Sequence, residues 1–378
     1  MRHTAYIVLA IAALIASACG SRTATSTEAF TRQIYTPHYA SGFAITGTPD
    51  GDALLIETSS PWQGSGPERR RLVIGNTNLA ADPDMQSIQK PARRIVCMSS
   101  THVAMLGAIG CSDRIVGVSG LDFISDPYVN AHRDAIADVG YEPDVDYERI
   151  LALAPDLVLL YGVTGPSGME SKLRELGIPY AYVGEYVESS PLGKAEWMVA
   201  MGEITGVRTA AEQAFALLPP RYDSLRRAAA AMPERPRVMI NAPYGDSWFM
   251  PSTSSYMARL IEDAGGDYIY RNDTGDKSET VDVEQAYLMA SQADCWINVG
   301  QIASLAELRS RHPKFADVEC VRRGRIYNCN RRMTAAGGND FWESSVVHPD
   351  VVLHDLIGVF HPEAGITDDQ LYYYKRIE

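Results

Sequence analysis

The chain has 378 residues, with 34 Lys and Arg against 47 Asp and Glu, for a formal charge of −13. That acidic balance argues against nucleic acid as a partner, and the length exceeds what one compact core commonly serves, so two lobes are expected. The six cysteines form no CxxC pair and no zinc spacing, which leaves thiol-redox and metal-finger classes without a motif.

The first element in chain order is a secretory signal. Met1-Arg2-His3 precedes an apolar run from Tyr6 to Ile15, then Ala16-Ser17-Ala18 and Cys19. The apolar core is shorter than the roughly 20 residues that span a bilayer. Small residues before a cysteine match a bacterial lipobox, although Ala16 stands where Leu is usual. Residues 1–19 are therefore expected to be a lipoprotein signal peptide with Cys19 as the lipidated end, followed by a polar tether over 21–27. The protein is expected in the periplasm or cell envelope, lipid-anchored to a membrane. Export also permits disulfides, and Cys320 with Cys329 could form one, with at least one thiol left free by the odd count.

Within residues 20–90, strands over 42–45, 53–58 and 71–74, separated by Gly, Pro and Asp, predict a small β appendage after the tether. From residue 91 the pattern changes to short apolar strands alternating with helices, the grammar of a layered α/β unit. Strands are expected over 94–98, 115–118, 157–160 and 180–183, and helices over 101–109, 147–154 and 169–176. A helix-forming stretch, 191–232, is interrupted by Gly206 and by Pro219-Pro220, where interior proline splits a helix at a cost of about 3 kcal/mol. The strand–helix grammar restarts at 237–240 and continues with helices over 256–264 and 283–291 and a strand over 295–299. A faint repeat links the halves: VDYERILA (145–152) precedes PDLV, and VDVEQAYL (281–288) precedes ADCW. The fold class is α/β, with an N-terminal lobe over 91–190, a long helical bridge over 191–232, and a C-terminal lobe over 233–378.

Four segments carry a resemblance. RRIVCMSSTH (93–102), DRIVGV (113–118), LALAPDLV (151–158) and HPDVVLHDLI (348–357) with His361-Pro362 appear in the order found in periplasmic-binding proteins of the iron-siderophore and cobalamin class. Residues 92–362 resemble this class, the substrate-binding component of ABC importers. YASGF (39–43) and PWQG (61–64) resemble a lipoprotein subgroup of it with mostly unassigned ligands. The resemblance implies an interlobe cleft, a monomer, and delivery of an iron-siderophore, haem or corrinoid such as cobalamin to a permease. It also implies that Glu148 and Glu284, one per lobe, dock on permease arginines; a favourable interaction with the helix dipole is the alternative reason for their position. In the resembling proteins the bridge helix is uninterrupted, and Pro219-Pro220 departs from that pattern.

A large, partly anionic chelate requires aromatic walls and a few donors or cations. The loops after strands supply Ser100, Thr101 and His102, then Tyr161 and Tyr186, in the first lobe. In the second lobe they supply Tyr244, Trp248, Met250, Arg331, Arg332 and Trp342. Trp248 and Trp342 are expected to stack on the ligand and Arg331 or Arg332 to pair with its charge. Core packing and an N-cap are the competing readings for the aromatics and for Ser-Ser-Thr. His102 is the weakest of these residues, and would become a haem ligand only with a partner such as Tyr161 or Tyr244. No catalytic residue, cofactor or metal site is expected: Gly-x-Ser-x-Gly, phosphate-loop and His-Glu-x-x-His motifs do not occur. The alternatives are a binder of a free metal ion, which the scattered histidines do not favour, and a surface lipoprotein that binds a protein partner through the appendage around Trp62.

Overall fold

The computed structural model describes residues 26–378 apart from 81, 83–84, 246 and 273–276. The expected signal peptide and Cys19 lie outside the described residues.

The appendage is a five-stranded sheet, Arg32–Tyr35, Phe43–Gly47, Ala53–Ser59, Arg69–Gly75 and Met85–Ile88, in sequential order. The last strand runs parallel to its neighbour and the other pairs are antiparallel. The three inner strands fall on the expected runs. The two edge strands, RQIY and MQSI, lack the continuous apolar character that marked the inner three.

The first lobe is an all-parallel sheet in the spatial order Tyr180–Tyr182, Leu157–Leu160, Ile95–Cys97, Ile115–Val118, Ala137–Asp138. Its central strands are buried on both faces, as their uninterrupted Val, Leu and Ile runs require. The second lobe repeats the plan with Asp267–Tyr268, Arg237–Ile240, Cys295–Ile297 and Ile326–Asn328 parallel, closed by an antiparallel Lys375–Arg376. In both sheets the chain order reverses beside the first strand, so the strand carboxyl ends open onto a crevice.

The bridge is three helices, Pro191–Thr205, Arg208–Ala216 and Leu218–Ala230. Gly206 ends the first in a left-handed cap with φ 73°, and Pro219 lies in the first turn of the third. The prolines therefore begin a helix rather than kink one. All fifteen residues of Pro191–Thr205 are buried, including Glu196, because the appendage covers the exposed side.

That cover is specific. The Glu196 carboxylate accepts bonds from the Tyr35 hydroxyl (2.7 Å) and from the backbone amides of His38 (2.8 Å), Tyr39 (2.7 Å) and Ala40 (2.7 Å). Glu188 accepts from the amides of Ser41 (3.0 Å) and Gly42 (2.9 Å) and from the Trp197 indole (2.9 Å). A side chain at Gly42 would meet Trp197 at 2.9 Å, so the YASGF segment needs its glycine for close approach. The segment's backbone satisfies two buried acids of the first lobe and bridge.

Cys97, Cys111, Cys295, Cys320 and Cys329 are all buried and free, so Cys320 and Cys329 do not pair. No helix among the described residues is long and apolar enough to cross a membrane.

Candidate functional site

Two adjoining cavities lie at the strand ends of the second lobe, the smaller of them shared with the first lobe and the appendage. The smaller, about 260 Å³, is lined by Gln63 of the appendage, Tyr186, Glu188 and Ser189 of the first lobe, and Asn241, Ser255, Tyr256, Ser278, Asn298 and Trp342 of the second. The larger, about 520 Å³, shares Asn298 and Trp342 and adds Gln301, Asn328, Asn330, Met333 and Asn339. Together they lie in the size range of small-molecule sites, roughly 300–1,000 Å³.

The second-lobe wall is built by asparagines at strand ends. Asn241 follows Ile240 and Asn298 follows Ile297, on neighbouring parallel strands where Ile240 and Ile297 are in register. Both adopt left-handed backbone, φ 69° and 57°, a conformation asparagine tolerates better than most residues. The Asn241 carboxamide donates to the Phe249 carbonyl (2.7 Å). Asn298 is 4 % exposed and its carboxamide makes no well-formed hydrogen bond, its one polar protein neighbour in reach being the buried Tyr374 hydroxyl; the Asn330 Oδ1 is likewise buried and unpaired. Buried carboxamides are normally satisfied, so these atoms are the clearest places for a ligand to bond. Among the described lining residues of both cavities there is no Lys, Arg or His.

Beneath the first-lobe side lies a buried charged cluster. The Lys194 ammonium sits 4.1 Å from the Tyr256 ring centroid. Burial pulls it below its ordinary value, against the opposing pull of Glu185 and Glu188. Burial pushes the Glu185 carboxyl up, while Lys194 and the Thr101 hydroxyl, which bonds it at 2.7 Å, hold it down. This network fixes Tyr256 and Tyr186 from below.

The lobes also touch directly. The Thr334 hydroxyl donates to the Asp122 carbonyl (3.0 Å) and the Ser125 amide to the Glu343 carboxylate (2.7 Å). Burial pushes the Glu343 carboxyl up to about 7, reinforced by Asp340 and Asp126.

Several expected site residues lie elsewhere. Trp248 is 0 % exposed and packs against Trp296 and Phe315 at 5.5 and 5.2 Å. Its segment is not a loop but the strand Ser247–Met250, paired with Glu279–Asp282. Alternation along it buries Trp248 and Met250 and turns Phe249 outward, so neither Trp248 nor Met250 presents a face to the cleft. His102 is also core: it is wholly buried, and burial pulls it down to about 3, so it is neutral. Ser99 caps the helix Ser100–Ala108, and Ser100 and Thr101 do not line either cavity.

Arg332 pairs with Asp340 (2.7 Å) and stacks over Tyr372 (4.4 Å). Arg331 donates to the Asp368 carbonyl (3.0 Å). The C-terminal segment engages both cations, so neither is placed for a ligand charge. Tyr244, 81 % exposed at a hairpin tip, and Tyr161 lie outside the linings. Tyr186 and Trp342 do line the cleft, and Trp342 is 51 % exposed. Glu148 and Glu284 are exposed in the first turns of helices Tyr147–Leu153 and Val283–Ala290. The asparagine wall went unread, although an Asn at the carboxyl end of each of three apolar strands (Asn241 and Asn298 just after theirs, Asn328 the last residue of its own) was a visible signal.

A crevice between two α/β lobes, with neutral donors at strand ends, is the site of a binding protein. Residues 95–333 match the model of the periplasmic binding protein family, and the chain belongs to that family, whose members bind a solute and are not enzymes. An uncharacterized lipoprotein of Methanocaldococcus jannaschii is 26 % identical over 288 residues, 73 % of this chain and 67 % of that one. A second is 24 % identical over 357 residues, 90 % of this chain and 84 % of that one. Among solved structures, a periplasmic heme binding protein from Pseudomonas aeruginosa superposes with a TM-score of 0.56 at 19 % identity, covering 72 % of this chain and 93 % of that one. The periplasmic vitamin B12 binding protein of Vibrio cholerae gives 0.55 at 16 % identity, covering 72 % and 98 %. At such identity these structures share the fold.

Proposed function

We propose that this protein is the substrate-binding component of an ABC importer, held at the cell envelope by a lipid on Cys19, and that its cargo is a neutral, hydrogen-bonding metal chelate. The observation that carries the chelate class is the cleft lining: carboxamides, hydroxyls and an exposed Trp342, with Glu188 the one charged residue among the described lining residues and a single cation, Lys277, at the rim. A haem brings two carboxylates and a catecholate siderophore several negative charges, and each requires Arg or Lys to offset desolvation. A corrinoid rimmed with carboxamides, or a peptide-based ferric hydroxamate, instead presents amide groups of the same kind as Asn241, Asn298 and Asn330. Trp342 and Tyr186 supply the flat apolar contact. Delivery would use Glu148 and Glu284 on the permease; the exposed contact of Glu284 with Lys314 (3.2 Å) is weak enough to be exchanged.

Two alternatives lose ground. Among the described residues no group of three or more His, Cys, Asp or Glu is placed to hold a bare metal ion. The appendage is bonded into the first lobe and bridge rather than standing free as a partner module. The test is a fluorescence titration against two neutral chelates, cyanocobalamin and ferrichrome, and two anionic ones, haemin and ferric enterobactin. Saturable quenching by a neutral chelate, lost in Trp342→Ala, supports the reading. Binding of an anionic chelate alone overturns the neutral assignment, and silence toward all four overturns the chelate reading.

A further inference from the structure

The PWQG segment of the appendage lies outside the matched family region, yet it reaches the cleft. Trp62 points inward: it is 5 % exposed, its ring meets Tyr182 at 5.6 Å, and the Arg70 guanidinium lies 5.0 Å above it. A side chain at position 162 would strike the Gly165 carbonyl at 2.7 Å and the Trp62 ring at 2.9 Å, so Gly162 is needed both for its own turn and for the indole to seat. The Gln63 amide then donates to the Val163 carbonyl (3.0 Å). The loop is thus pinned to the first lobe by its backbone and its one large ring.

Its remaining side chain turns the other way. Gln63 lines the smaller cavity together with Ser278 of the second lobe, and its carboxamide has no partner among the described residues. One residue on, Gly64 has φ +74°, and the Lys277 side chain occupies the space where a Cβ would stand, 2.5 Å away. The loop therefore starts on one lobe and ends against the other, at the rim of the cavity. A partner-docking loop would present its aromatic outward; this one buries the aromatic and offers an amide to the cleft, the same chemistry as the asparagine wall opposite.

We propose that the appendage loop Pro61–Gly66 is a third wall of the ligand site, with Gln63 a specificity-determining residue that hydrogen-bonds the polar rim of a neutral chelate. This rests on the reading of the cleft as a chelate site. It also assigns the appendage to cargo selection rather than to a protein partner.

The experiment has two arms. In the first, purified wild type, Gln63→Leu and Gln63→Glu are titrated with cyanocobalamin and with ferrichrome. Gln63→Leu should bind the accepted chelate about tenfold more weakly with an unchanged melting temperature, since the side chain makes no protein bond. Affinity within twofold of wild type overturns the proposal.

The second arm needs no ligand. In a chain carrying Cys19→Ser, Gln63→Cys with Ser278→Cys is treated with a short bis-maleimide; the five other cysteines are buried. Intramolecular bridging in the double variant, and in neither single variant, is expected. Its failure overturns the wall whatever the cargo. Should wild type bind neither chelate, the cargo reading falls, and bridging then upholds the wall alone.

Discussion

The two lobes repeat one plan, yet they use their strand ends for opposite purposes. In the first lobe the groups beyond the strands are charged and mostly engaged: one Glu185 oxygen with Thr101 and with Lys194 nearby, the other buried without a hydrogen bond, and Glu188 with the Ser41 and Gly42 amides. In the second lobe they are neutral and partly unpaired: Asn298 and Asn330, with Asn241 beside them. Charge in the first lobe holds the bridge and the appendage in place. Neutral amides in the second, too costly to bury unsatisfied, are left for the ligand. A duplicated α/β unit can thus keep its fold while one copy serves the scaffold and the other the cargo.

The sharpest way to break this comparison is to exchange the roles of two tryptophans in the second lobe. Trp248→Ala removes a wholly buried ring packed on Trp296 and Phe315 and should cost about 3–5 kcal/mol in urea unfolding. Trp342→Ala, at a half-exposed site, should leave unfolding within about 0.5 kcal/mol and weaken chelate binding instead. Equal losses of stability in the two would show that the Ser247–Met250 strand had been misassigned.

A smaller effect tests the amide wall. Asn298→Gly keeps the left-handed backbone that Ala would strain and deletes only the carboxamide. Affinity for the accepted chelate should fall about tenfold, the worth of one hydrogen bond to a buried group. Folding should change by no more than about 1 kcal/mol, because the deleted atoms make no well-formed protein bond and only approach the Tyr374 hydroxyl. Unaltered affinity would remove Asn298 from the site.

How far each lobe could be read beforehand follows the same division. The parallel strands were legible because burial on both faces leaves uninterrupted runs such as Leu157-Val158-Leu159-Leu160. The split of the bridge was legible because Pro219 and Gly206 act through local backbone geometry. The strand around Trp248 was missed because four residues of period-two alternation, SWFM, look like an aromatic loop until Glu279–Asp282 pairs with them. The clasp of residues 38–40 on Glu196 spans more than 150 positions, and no periodicity links its two ends. Arg331 and Arg332 were assigned to the ligand for their charge alone; the tail residues that engage them, Asp368 and Tyr372, lie more than 35 positions away.

Where the lobes touch, a titration sharpens the comparison at lower amplitude. Glu343 bonds the Ser125 amide across the interface, and burial raises its carboxyl from an ordinary 4.5 to about 7. The folded protein keeps that proton where the unfolded chain releases it. Glu343's contribution to stability is therefore fully present below about pH 4.5 and is lost as pH rises from 4.5 through 7. Glu343→Gln has no such proton to lose. Its stability relative to wild type should rise by on the order of 1 kcal/mol between pH 5 and pH 8, measured as parallel thermal melts. A constant difference across that range would place the titration elsewhere.

The smallest expected effect concerns the two arginines. Arg331→Ala and Arg332→Ala remove the two cations that the sequence offered to an anionic ligand, but in the fold one bonds the Asp368 carbonyl and the other pairs with Asp340 over Tyr372. Half-exposed contacts of this kind contribute roughly 0–1 kcal/mol each, so melting should shift only slightly, more for Arg332 because Asp340 is buried. Chelate affinity should stay within twofold in both variants, since neither side chain lines the cleft. A tenfold loss of affinity in either would mean that the C-terminal segment releases its arginine when cargo enters. The second lobe would then supply charge after all, and the division of labour between scaffold and cargo lobes would have to be redrawn around an anionic ligand.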